Sequence, residues 1–224
     1  MTAELLDCLT VESGAPPAAS VIWLHGLGAD AHDFEPIVQE LPLSRLGPTR
    51  FVFPNAPHRP VTINGGYVMR AWYDIAGADL GRSVDVAGVE ASCREVARLV
   101  EREVAAGVAP ERIILAGFSQ GGVIALETAA RYPARLAGVI ALSTYLAQPD
   151  QLPLANAALP VFMGHGTEDP IVPFALGQNS RATLESRGYS VAWHSYPMPH
   201  SVCAREIADI GAWLIQRLAP PGPA

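Results

Sequence analysis

Lysine is absent from this sequence: all 15 basic residues are arginine. A Schiff-base lysine, a catalytic ammonium and a phosphate-loop lysine are therefore excluded. Cysteine is scarce. Cys8, Cys93 and Cys203 are odd in number, widely spaced and free of any C-x-x-C pair. That pattern argues against a disulfide framework or zinc site, and no metal or cofactor is expected. Positive charge is also short. The 22 acidic residues outnumber the basic ones and leave a formal net charge of −7. A phosphate backbone needs the opposite sign, so no nucleic-acid partner is expected. No apolar run reaches the roughly 18 residues of a membrane span. The first nine residues carry Glu4 and Asp7 and no basic stretch, unlike a secretory signal. The expectation is a soluble cytoplasmic protein with reduced thiols.

Apolar residues are plentiful. They make up half of the 224 residues, against 17% charged. A chain of this length buries about 70% of its unfolded surface, enough for a core without staples. No repeat or linker divides the chain, so one domain is expected over 1–218, with a frayed proline-rich tail over 219–224. Near-continuous apolar runs of strand length occur at Ser20–Leu24, Arg50–Phe53, Arg112–Ala116, Gly138–Leu142, Pro160–Gly164 and Val191–Tyr196. Helical patterns alternate with them at Asp85–Ala105, Gln120–Arg131, Phe174–Ser186 and Ser201–Leu218. Such alternation predicts an α/β fold with a mostly parallel sheet, whose ligands bind beyond the carboxyl ends of the strands. The connection Pro54–Ser83 carries little periodic pattern. Ordered loops of that length are usually functional.

Gly117-Phe118-Ser119-Gln120-Gly121 joins a predicted strand to a predicted helix. This is G-x-S-x-G in the context where the serine becomes a nucleophile. The turn must be tight enough to push Ser119 above the sheet. Glycines two residues either side remove the Cβ atoms that would block it. Serine is a weak nucleophile without a base. His194 falls inside a predicted strand, whereas His200 follows the last strand in a loop, so His200 is the expected base. His165 and His25 read as structural. The acid must lie between serine and histidine in the chain. Glu127 and Glu185 fall in helices, and Asp150 lies in an excursion with no strand before it. Glu168 and Asp169 both follow the strand Pro160–Gly164. Asp169 precedes a proline, which biases it to extended backbone, and is preferred. Glu168 reads as a surface or loop-bracing residue. The expected oxyanion donors are the N–H of Gln120 and the N–H of Leu27, in the turn His25–Gly28.

The segments VIWLHGLGAD (21–30), FPNAPHRPVTINGGYVMRAWYDI (53–75), ILAGFSQGG (114–122), VIALSTYL (139–146), GHGTEDPIVP (164–173) and SYPMPHSV (195–202) resemble, in order, those of the carboxylesterase and acyl-protein thioesterase family. The character is closest to its bacterial carboxylesterases. The resemblance implies an α/β-hydrolase fold: a mostly parallel twisted sheet with helices on both faces and no large cap domain. It also carries the triad to Ser119, Asp169 and His200, and the oxyanion donors to Leu27 and Gln120. Two departures stand out: Arg70-Ala71 replaces a frequent Pro-Ser, and Pro199 replaces a frequent Gly before the histidine.

The expected activity is hydrolysis of carboxylic esters of short to medium acyl chain through an acyl-enzyme on Ser119. An acyl-protein thioesterase or lysophospholipase would use the same triad, so ester and thioester substrates both fit. A hydrolase-fold binding protein without catalysis would be marked by an incomplete triad. Leu27, Trp72, Tyr73, Val172 and Val202 are the expected pocket residues. A homodimer is left open.

Overall fold

The computed structural model describes residues 4–77, 80, 84–153 and 158–220. Among the described residues seven strands form the main sheet: β1 (Cys8–Glu12), β2 (Ala19–Leu24), β3 (Thr49–Pro54), β6 (Ile113–Phe118), β7 (Gly138–Leu142), β8 (Pro160–Gly166) and β9 (Ser190–Tyr196). Their spatial order is β1-β3-β2-β6-β7-β8-β9. Only β1 runs antiparallel, at the edge beside β3; the other pairs are parallel. The sheet is covered on both faces, which explains the unbroken apolar strands. Along β2, Ile22 and Leu24 face one core and Val21 and Trp23 the other. In β6, Ile113 and Leu115 alternate with Ile114 and Ala116 in the same way.

Among the described residues the α-helices are α1 (Leu43–Leu46), α2 (Val86–Ala105), α3 (Gln120–Arg131), α4 (Phe174–Ser186) and α5 (Ala204–Leu218), with α1 packed on α5. On α2, Val89, Val96, Leu99 and Val100 are buried, while Val86 and Val104 at the ends of the stripe are exposed. Asp85 caps α2 by accepting from the Gly88 N–H at 2.9 Å, and its other oxygen accepts from the Asp74 N–H at 3.0 Å. One carboxylate thus starts the helix and anchors the preceding loop.

The connection after β3 differs from the patternless loop expected of it. It contains a two-stranded ribbon, β4 (His58–Val61) against β5 (Tyr67–Arg70). Gly65 and Gly66, at φ of 66° and 79°, turn between them. Residues 78–79 and 81–83 of that connection lie outside the described residues, as do 221–224 of the tail; Pro220 lies beside Gly47. The last helix also starts later than its pattern predicts. Cys203 is extended at its N-cap, so Ser201 and Val202 belong to the loop.

Glu206, in the first turn of α5, is fully buried. Its carboxyl oxygens have no well-formed hydrogen bond among the described residues. Burial, with the Asp209 charge adding, pushes its pKa up to about 8 against a weaker pull from the Cys203 amide. The folded state therefore holds a proton that the unfolded state releases above the ordinary carboxyl range. The resulting stability is fully present below the unfolded pKa and is lost as pH rises to about 8. Unfolding free energies from urea titrations between pH 5 and 8 should fall more steeply for the wild type than for Glu206→Gln, by up to about 1.4 kcal/mol per pH unit. Parallel slopes would contradict this assignment.

Candidate active site

Ser119 sits between the central strand β6 and α3, with φ of 54° and ψ of −119°. Non-glycine residues rarely adopt this conformation, and it persists only where the surroundings enforce it. Those surroundings are backbone. A Cβ on Gly117 would strike the Gly121 carbonyl, and one on Gly121 would strike the Leu24 and His25 carbonyls. The Ser119 N–H donates to the Leu142 carbonyl at 2.9 Å, and its carbonyl accepts from Thr144 Oγ1 at 2.7 Å. Strand, turn and helix are clamped around the serine.

The turn His25–Gly28 approaches from β2. A Cβ built on Gly26 would lie 3.6 Å from Ser119 Cβ. Gly28, at φ of 76°, donates its N–H to the Arg70 carbonyl at 2.9 Å, which ties the turn to β5. Inside the turn, His25 Nδ1 donates to the Gly26 carbonyl at 2.7 Å and Nε2 accepts from the Ala56 N–H at 3.1 Å. Burial holds its pKa below the usual histidine value. This neutral ring braces the turn. Among the described residues, the N–H groups of Leu27 and Gln120 donate to no protein acceptor. The Gln120 N–H is one of the first donors of α3, which a helix leaves free.

Asp169 and His200 meet beyond β8 and β9. His200 Nδ1 donates to Asp169 Oδ2 at 2.7 Å, and Asp169 Oδ1 accepts from the N–H groups of Ile171 at 2.9 Å and Val172 at 2.8 Å. The carboxylate is buried and its acceptor sites face these fixed donors. With Nδ1 committed, the free lone pair of a neutral His200 lies on Nε2. The His200 ring packs 4.6 Å from that of Phe118, the residue before Ser119. The two loops are held together through backbone: the Thr167 N–H donates to Tyr196 and the Glu168 N–H to Met198. Gly166 permits this approach, because a Cβ there would strike the Met198 and Pro199 carbonyls.

The other acid and base candidates lie elsewhere. The Glu168 side chain is exposed, as is Asp150. Glu185 pairs with Arg181 on the α4 surface, and Glu127 is buried against Arg131. His165 is buried, with Nε2 2.9 Å from the Val172 carbonyl, and burial lowers its pKa. His194 stacks on Phe162 and lies 3.5 Å from Asp209.

A cavity of about 370 Å³ opens beside Ser119. Leu27, Tyr73, Val172 and Gln120 line it, together with Tyr145 and Ile171, which the sequence pattern did not single out. Two expected pocket residues are absent from its wall. Trp72 is fully buried behind it, its indole N–H donating to the His25 carbonyl at 2.8 Å. Val202 is half-buried and packs against the core cluster that includes Ile210 and Leu214 of α5. Gln120 links site and wall: its side chain accepts from the Trp72 N–H at 3.0 Å and donates to the Tyr73 carbonyl at 2.8 Å.

Comparison with known proteins agrees with this geometry. Residues 6–217 match the phospholipase/carboxylesterase family model. Acyl-protein thioesterase 1 of Neurospora crassa is 38% identical over 223 residues, covering 94% of this chain and 91% of the relative. The crystal structure of Arabidopsis thaliana SOBER1 superposes with a TM-score of 0.82 at 32% identity, over 89% of this chain and 99% of that one. Zea mays acyl-protein thioesterase 2 gives a TM-score of 0.84 at 28% identity, over 96% and 100%. A doubly covered, mostly parallel sheet with its serine turn after the central strand defines an α/β-hydrolase, without a cap domain among the described residues. The chain belongs to the phospholipase/carboxylesterase family of that fold.

Replacing Gln120 with Leu strands the buried Trp72 N–H and Tyr73 carbonyl. Chemical denaturation of Gln120→Leu should show a loss of roughly 2–4 kcal/mol. A loss under about 0.5 kcal/mol would mean that the loop is held by other contacts.

Proposed function

We propose that this esterase works through an acyl-enzyme on Ser119, with His200 as base and Asp169 holding it. His200 takes the hydroxyl proton as Ser119 attacks the ester carbonyl. The Leu27 and Gln120 N–H groups receive the oxyanion, since both are uncommitted and flank the serine. His200 then protonates the leaving alcohol and activates water for deacylation. The single observation that carries this reading is the His200–Asp169 hydrogen bond of 2.7 Å, on loops held beside the strained Ser119 turn. The substrates are carboxylic esters of short to medium acyl chain, with thioesters a second class. The second class is favoured by the 38% identity to a protein named acyl-protein thioesterase 1. The free thiols of Cys8, Cys93 and Cys203 support a cytoplasmic location.

Activity on p-nitrophenyl alkanoates and on S-acylated peptides, measured side by side, ranks the two classes. Asp169→Asn should lower kcat by roughly 10⁴, the scale of the serine-protease example, because an amide supports neither the tautomer nor the imidazolium. Glu168→Gln should change kcat less than about threefold, since its exposed side chain contacts none of these groups. Equal losses in the two variants would move the acid.

A further inference from the structure

Two phenols sit in the wall of the Ser119 cavity. Tyr73 OH and Tyr145 OH are 3.1 Å apart, and both residues are buried. Burial raises the pKa of each above the ordinary phenol value, so both hydroxyls keep their protons at neutral pH. Two hydroxyls bring two protons, and their mutual hydrogen bond uses one. Among the described residues neither oxygen has another partner. The nearby Glu127 carboxylate accepts from Arg131 and from the Gln148 N–H at 2.8 Å, and among the described residues from neither tyrosine. One O–H donor is therefore left over beside a cavity whose other wall residues are mostly apolar, Leu27, Ile75, Ile171 and Val172 among them, with Asn64 the remaining polar side chain besides Ser119 and Gln120. Once a bound chain displaces water from the cavity, a donor left without an acceptor is unfavourable by about 1–3 kcal/mol, so the site favours a chain that brings one.

The occupant of this cavity follows from its walls. Ser119, Leu27 and Gln120 line it, and His200 does not. The leaving group must lie on the side of His200, which protonates it. The other substituent of the carbonyl, the acyl chain, is left to the cavity. We propose that the Tyr73–Tyr145 hydroxyl pair makes this acyl cavity selective for chains carrying a hydrogen-bond acceptor, above all a ketone oxygen, over plain alkanoyl chains of the same length. The proposal rests on the esterase reading and sharpens its substrate class.

The test compares isosteric pairs. The p-nitrophenyl esters of pentanoate, hexanoate and heptanoate are each assayed against their 4-oxo, 5-oxo or 6-oxo analogues, with rates normalised to hydroxide hydrolysis. At one oxo position, kcat/KM for the oxo ester should exceed that of its plain partner by roughly 3- to 10-fold, the scale of one net hydrogen bond. Tyr145→Phe and Tyr73→Phe each remove one hydroxyl and keep the ring. In both, the oxo-to-plain ratio at that position should fall toward one. Plain esters turned over with no oxo preference at any position, or a preference that survives in both variants, would overturn the proposal alone. Failure of the wild type to hydrolyse any of these esters would instead overturn the esterase reading beneath it.

Discussion

The arrangement depends on how closely three backbone segments approach at the centre of the sheet. Gly117, Gly121 and the end of β2 are so near that a single Cβ on either glycine would collide with a carbonyl. That approach leaves no room for a relaxed turn, so Ser119 is held at positive φ. Strain of about 1–3 kcal/mol at such a position is maintained by the surrounding packing. The same approach places the Gln120 N–H and the turn His25–Gly28 around the serine, so the candidate nucleophile and candidate oxyanion donors arise from one steric fact.

A second constraint acts at the loops beyond β8 and β9. Parallel pairing runs through Gly166↔Tyr196, and cross-loop N–H bonds from Thr167 and Glu168 continue it past the strand ends. The chain direction there turns Glu168 outward and Asp169 inward, where the Ile171 and Val172 amides fix one oxygen and His200 the other. Two adjacent carboxylates thereby differ in environment although they differ by one methylene in chemistry. Stability elsewhere accommodates less favourable groups, such as the protonated Glu206 beneath the sheet.

How much of this was legible in the sequence depends on the range of the forces involved. Strands buried on both faces announce themselves as unbroken apolar runs, so the run Gly138–Leu142 coincides with β7. Helix α3 was equally clear, because a glycine-rich turn opens it and Pro133 follows its end. The ribbon β4–β5 leaves no such pattern: each strand has only four residues, one contains proline, and its outer face is exposed. Ser201 and Val202 matched the helical stripe but belong to the loop that carries His200. Trp72 is aromatic and near the site, the local signs of a pocket residue. Its indole hydrogen bond to His25, a contact across 47 positions, turns it inward instead. Tyr145 is the converse case: nothing local shows that its hydroxyl meets Tyr73 across 72 positions.

The claim that organises the rest is that one serine among many is activated by its backbone setting. Ser143 offers a control within the same molecule. It too has positive φ, at 45°, but its hydroxyl is buried and unpartnered among the described residues. Treatment with a serine-directed fluorophosphonate, followed by peptide mass mapping, separates the two. The account predicts a single adduct per chain on Ser119, formed in step with loss of esterase activity and absent from Ser119→Ala. Modification at Ser143 or another serine in step with inactivation, or full activity in Ser119→Ala, would contradict it.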